Sequence, residues 1–170
     1  MKRNTAIAMY QAVLGIKLNK MSDEMTDAIL GNTLALSEVN STLGKAQEEL
    51  RKKTVETIDK ERLTAYDELT TKMNALEGIK RSAVQAVIND NYKDVQTQLK
   101  RLNKALDKWL DKDVSMELTQ VDRKEFCKAC REAEQNITPA TMQVLAPMFK
   151  GYVEPKTEVD DAEIAELLKD

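Results

Sequence analysis

Apolar residues recur at steps of three, four and seven along most of this chain, and the departures from that rhythm mark its joints. Between Asn4 and Lys17, Ile7, Tyr10 and Leu14 predict a short amphipathic helix. Ser22 can then accept from the first free amides of a second helix, with Asp23 and Glu24 suited to its positive end. The apolar stripe runs on through Met25, Ile29, Leu36, Val39, Leu43, Ala46 and Leu50. Near Thr54 the phase slips. It restarts at Val55 and Ile58 and continues through Tyr66, Leu69, Met73, Leu76, Ala83 and Val87, an alternation that resembles a coiled-coil seam. No proline lies between Lys2 and Asp113, so nothing of that kind forces a stop. Gly31, Gly44 and Gly78 read as tolerable interior glycines. Asn89-Asp90-Asn91 is the predicted break, after which Val95, Leu99, Leu102, Leu106 and Trp109 or Leu110 mark another helix.

The period then changes. Val114, Met116 and Leu118 alternate, which predicts a half-buried strand. A lone strand leaves its backbone groups unpaired and needs a partner. GYVEP, around Val153, is the internal candidate, and the same strand of a second subunit is the alternative. Arg123 to Gln135 predicts a helix. Thr138-Pro139 is a restart signal, with threonine as cap and proline at the first helical position. Met142, Leu145, Met148 and Phe149 follow on one face, and Pro147 ends that helix. Asp160 to Lys169 predicts a short terminal helix held by Ile164, Leu167 and Leu168.

The expected fold is therefore mainly α, a single domain over 1–150. An extended helical hairpin, a coiled-coil-like arm, covers 22–112. A small α+β part with one strand and two short helices covers 113–150, and an acidic tail covers 151–170. The composition agrees with long helices, being 42% hydrophobic and 32% charged but only 4% aromatic. The net charge of −3 is too mild to imply a partner. Its distribution is uneven, with seven acids and two bases from Gly151 onward. No membrane-length apolar run or secretory pattern is visible, so a cytoplasmic chain with reduced cysteines is expected.

Candidate chemistry centres on EFCKACREAE, residues 125–134. Cys127 and Cys130 share one side of a helix. A zinc site wants four ligands, yet the chain has no histidine and no other cysteine. A metal would need a second subunit or neighbouring carboxylates. A redox pair would need the thiols at a helix N-terminus. The reading that prevails is two small structural cysteines, with an intersubunit zinc or redox site as a further alternative. Lack of histidine removes the commonest general acid–base. The five glycines are isolated, so no phosphate-cradling loop is formed. No catalytic residue and no cofactor are expected.

Two surfaces remain. Lys100, Lys104, Lys108 and Lys112 recur every four residues beside Arg101, with Trp109 available to stack on a base. Asp94, Asp107 and Asp111 dilute this stripe, which equally suits the solvated back of an amphipathic helix. The long seams exceed what a small chain readily buries. Leu43, Leu50, Ile58, Leu69, Val114, Met116 and Leu118 are accordingly the expected interaction residues.

MSDEMTDAILGNTLALSEVNSTLGKAQEELRKK, then VSMELTQV, then NITPATMQVLAPMF, stand in an order that resembles a family of small, mainly helical, uncharacterised proteins of tailed bacteriophages and prophages. In that family a charged helix is followed by a short strand and a Leu/Ile-Thr-Pro-Ala motif. The resemblance implies a phage accessory protein in the host cytoplasm and brings no catalytic residues. The leading expectation is a non-enzymatic protein–protein interaction module, a virion-assembly helper or an inhibitor of a host or defence protein. Its partners would be a protein and further copies of itself, with nucleic acid as the alternative and no membrane.

Overall fold

In the computed structural model, which describes residues 1–56 and 58–153, Ser22 starts the longest helix as its sequence suggests. Its hydroxyl accepts from Met25 N–H at 3.3 Å, and Asp23 and Glu24 occupy the first turn. The described residues form seven α-helices: α1 (Arg3–Leu14), α2 (Asp23–Thr54), α3 (Lys60–Asn74), α4 (Gly78–Asn91), α5 (Lys93–Leu110), α6 (Arg123–Glu132) and α7 (Pro139–Val144). A 3-10 turn, Ala146–Met148, follows. No described helix is long and apolar enough to cross a membrane. The acidic tail and its terminal helix lie outside the described residues from position 154 onward.

The expected hairpin over 22–112 is instead four helices. Two local devices make the difference. Asp59 accepts from the amides of Glu61 and Arg62 at 2.9 and 3.1 Å, capping α3 and separating it from α2. Gly78 takes φ +57, a left-handed conformation that breaks the path between α3 and α4. The seam is reset there. Ala83 and Val87, read as part of the seam, are exposed, while Ile88 is buried and Val84 half-buried.

The chain divides into two compact units: Met1–Ile7 with Leu36–Met116, and Ala8–Ala35 with Glu117 onward. In the first, Ala6, Leu36, Val55, Ile88 and Val95 are fully buried. Arg62 on α3 reaches the junction of α4 and α5. Its Nε and Nη2 donate to the two carboxylate oxygens of Asp94 at 3.0 and 2.7 Å. Nη2 also donates to the Asn91 carbonyl. The guanidinium lies 5.0 Å from the centre of the Tyr92 ring, which meets Tyr66 at 5.9 Å. The start of the chain is tied down in the same unit. Val114 N–H donates to Met1 O, and Arg3 N–H donates to Lys112 O, around the bridge between Lys2 and Asp113.

In the second unit Met9, Val13, Ile29, Val121, Phe126, Cys130, Leu145, Met148 and Phe149 make the core. The Phe126 and Phe149 rings meet at 5.3 Å. The alternating segment around Val114, Met116 and Leu118 is extended but joins no strand ladder among the described residues. Its backbone is satisfied otherwise. Asn32, 2% exposed in the middle of α2, donates from Nδ2 to Thr119 O at 2.9 Å and accepts from Thr119 N–H at 2.7 Å. One side-chain amide thus supplies the donor and acceptor that a neighbouring strand would have supplied. Two residues on, Val121 makes a single parallel bridge with Phe149, not with Val153. Gln135 repeats the device, accepting from Lys17 N–H at 2.8 Å and donating to Gly15 O at 2.6 Å. It follows Glu134, whose φ of 51 closes α6 by a left-handed turn.

Two stability measurements follow. Asn32→Leu keeps the branched outline but strips the part-buried backbone of Thr119 of both partners, and leaving such groups unpaired costs about 1–3 kcal/mol. Urea unfolding is expected to show a loss of about 2 kcal/mol or more. A loss no larger than a surface substitution would sink the assigned role. The Asp94 carboxyl is held down to about 2 from an ordinary 3.8, first of all by the Arg62 hydrogen bond. A depressed carboxyl adds stability above its unfolded pKa and loses it as pH falls through the folded value. The unfolding midpoints of the wild type and Asp94→Asn should therefore differ by a constant amount above about pH 5, with the difference shrinking as pH falls toward about 1.

Candidate interaction surfaces

The C-terminal motif of the described chain shapes an open groove in the second unit. Thr138 Oγ1 accepts from Thr141 N–H at 3.1 Å, and Pro139 occupies the first turn of α7. Pro147 falls in the 3-10 turn, as a residue without an N–H must where the helix ends. The chain then bends at Gly151, with φ +80. Between these turns lies a groove of about 530 Å³. Ile137, Met142, Ala146, Phe149 and Tyr152 make its apolar lining, and Arg123 and Lys150 stand on it as cations. Lys150 is partly opposed by Asp122. That carboxyl is held below its usual range, chiefly by the Glu125 and Lys124 amides it caps, with a further contribution from Lys150.

The cysteines lie within α6, beyond its capped first turn. Cys130 is buried and Cys127 half-buried. Burial, with Cys127 beside it, pushes the Cys130 thiol up. Metal ligation and thiol exchange both need the thiolate, so this environment favours the structural reading. No group of three or more metal-ligating side chains is assembled among the described residues.

The basic stripe lies on the exposed side of α5. Lys100, Arg101, Lys104 and Lys108 all face solvent. None of them is in an ion pair among the described residues. Trp109 is not presented with them as a free stacking platform. It is half-buried, and the Arg3 guanidinium sits 4.5 Å from its ring centre while donating to its carbonyl at 3.2 Å. One face of the indole is therefore already occupied by a cation.

The expected interaction residues are only partly available. Leu43, Leu50, Ile58, Leu69, Val114, Met116 and Leu118 are all half-buried. The large apolar side chains that do face solvent are Leu14, Leu30, Leu34, Ile79, Val87, Tyr152 and Val153. Of these, Ile79 is the most exposed, at 89%. Nothing in its charged surroundings marks Ile79, but from Ser82 to Asn89 α4 carries no charge at all, so the exposure of Val87 has a sequence signal: neither face of that stretch is marked as solvated.

In comparisons with protein-family models, curated proteins and solved structures, nothing matches the chain.

Proposed function

We propose that the protein is a non-enzymatic protein–protein interaction module whose second unit receives a short, acidic, amphipathic segment of a partner. The groove carries this reading. Its apolar lining suits leucine-like anchors, and Arg123 and Lys150 suit the carboxylates beside them. The ordered sequence motifs support a phage setting, in which such a module assists virion assembly or engages a host protein in the host cytoplasm. The test is quantitative capture from host lysate by the immobilised full-length chain and by a Met142→Asp, Lys150→Glu variant. The wild type should retain a protein that the variant loses by about tenfold, roughly 1.4 kcal/mol. The two thermal melts should agree. Equal capture by both surfaces would remove the groove from the mechanism.

A second reading draws on the first unit, where seventeen basic side chains face fourteen acidic ones. The unpaired Lys100, Lys104 and Lys108 with Arg101 favour contact with a nucleic-acid backbone. Single-stranded DNA should then bind at about 50 mM salt, weaken steeply by about 200 mM, and be lost on charge reversal of the three lysines. No binding by the wild type at low salt would end this reading.

A further inference from the structure

We infer that the groove of the second unit is held by this chain's own acidic segment, residues 157–170, which a partner has to displace. The groove combines an apolar floor with positive charge. Ile137, Met142, Ala146 and Phe149 lead along it to Tyr152, which is 38% exposed. Arg123 and Lys150 stand on it with their side chains in solvent, and no acidic side chain lines it among the described residues. Asp122, which opposes Lys150, is engaged by the Lys124 and Glu125 amides that it caps. The chain leaves the described structure at this same place. Gly151, with φ +80, and Tyr152 N–H, donating to Phe149 O at 3.1 Å, bend the backbone so that Tyr152 returns to the lining. Residues beyond Val153 therefore start from the rim of the groove.

The sequence that follows carries the matching chemistry. From Glu154 to Asp170 there are seven acids and two bases. Ile164, Leu167 and Leu168 are spaced by three and four from the first, so a helix would set them on one side, and Glu163 and Glu166 are interleaved with them. These are leucine-like anchors beside carboxylates, opposite a groove of apolar side chains beside cations. Ile164 lies about twelve residues past Tyr152, an extended reach of up to ~40 Å, so the anchors can return over the groove. A tether of that length gives an effective concentration on the order of 1 mM, which favours the chain's own segment over that of a second copy at any lower protein concentration. With an intrinsic dissociation constant of about 100 μM, roughly one groove in ten is open, and a partner's apparent affinity falls by that factor.

This rests on the interaction reading and names what holds the groove before a partner arrives. The probe is a fluorescent peptide of residues 157–170, its binding to the full-length chain followed by anisotropy. Full-length Leu167→Asp, Leu168→Asp should bind the peptide at about 100 μM against roughly 1 mM for the wild type, because its own segment no longer competes. Adding Arg123→Glu and Lys150→Glu to that variant should weaken the peptide by about tenfold or more. Both cations are exposed, so the thermal melt should stay unchanged. Equal peptide affinity for the wild type and the tail variant overturns the assignment, and so does a tail variant that binds no peptide. Self-association of the wild type at about 10 μM that the tail variant abolishes also overturns it, since the segment then fills the groove of another copy. Groove-dependent capture from lysate beside a negative peptide result counts against the resident segment alone. Tail-dependent peptide binding without capture counts against the separate partner alone.

Discussion

A half-buried segment that lies against a helix outside any sheet has to place its amides and carbonyls somewhere, and here one asparagine takes that role. Asn32 carries on one planar group a donor and an acceptor side by side, as a peptide edge does. It meets the N–H and C=O of Thr119 together. Because Asn32 is almost fully buried, water cannot readily substitute, and an unmatched amide there would bear its desolvation in full. The doublet lets an extended stretch lie against a helix with no sheet to receive it. With Thr119 held, Val121 reaches the backbone of Met148 and Lys150. Phe149, between those two, packs on Phe126 and contributes to the groove. The groove's floor thus traces back, residue by residue, to one polar side chain in the middle of α2.

Arg62 plays a comparable part in the first unit by different physics. Its pair with Asp94 is exposed, and an exposed pair alone contributes little. What distinguishes it is the number of directions it fixes at once. The guanidinium donates to both carboxylate oxygens and to the Asn91 carbonyl, and lies over the Tyr92 ring. Those groups sit on either side of the α4–α5 joint, so the contact sets the angle of that joint more than its free energy. Few side chains of this unit are fully buried, so such a polar clamp has more to do here than in a well-filled core.

Much of this was legible in the sequence, and the limits have physical reasons. Ser22, Thr138-Pro139, Pro147 and the break at Asn89–Asn91 act through local chemistry, which a sequence displays directly. Alternation at Val114, Met116 and Leu118 marked the half-buried side chains but not a strand, since 114–120 join no ladder among the described residues. It could not reveal the partner, because a strand and an asparagine side chain offer the same two groups. Nothing in the spacing singles out Asn32, a polar residue within the apolar stripe of α2. Gly78 looked tolerable inside a helix, since only its φ distinguishes a costly interior glycine from a necessary turn. That one misplaced turn shifted the seam of α4 by a residue. The seam read through Ala83 and Val87 is exposed, and the buried side of α4 carries Val84 and Ile88 instead. The groove was legible only as its separate turns: its lining comes almost wholly from residues 137–152, but the bends at Pro147 and Gly151 that fold this stretch around it, and the approach of Arg123, are not set by spacing.

The cysteine motif shows how placement governs reactivity. Two thiols three residues apart gain low pKa values when a helix N-terminus points its free amides at them. In α6 those amides are already engaged. Asp122 accepts from Lys124 and Glu125 N–H at 2.8 and 3.0 Å, so the positive end of the helix stabilises a carboxylate. The consequence appears on both groups: the Asp122 carboxyl is lowered, while the Cys130 thiol, one turn or more deeper and buried, is raised. The same helix end cannot serve both. The cap serves the folding of α6, which brings Phe126 onto Phe149, while Cys130 is buried behind it and Cys127 half-buried, as small apolar residues are.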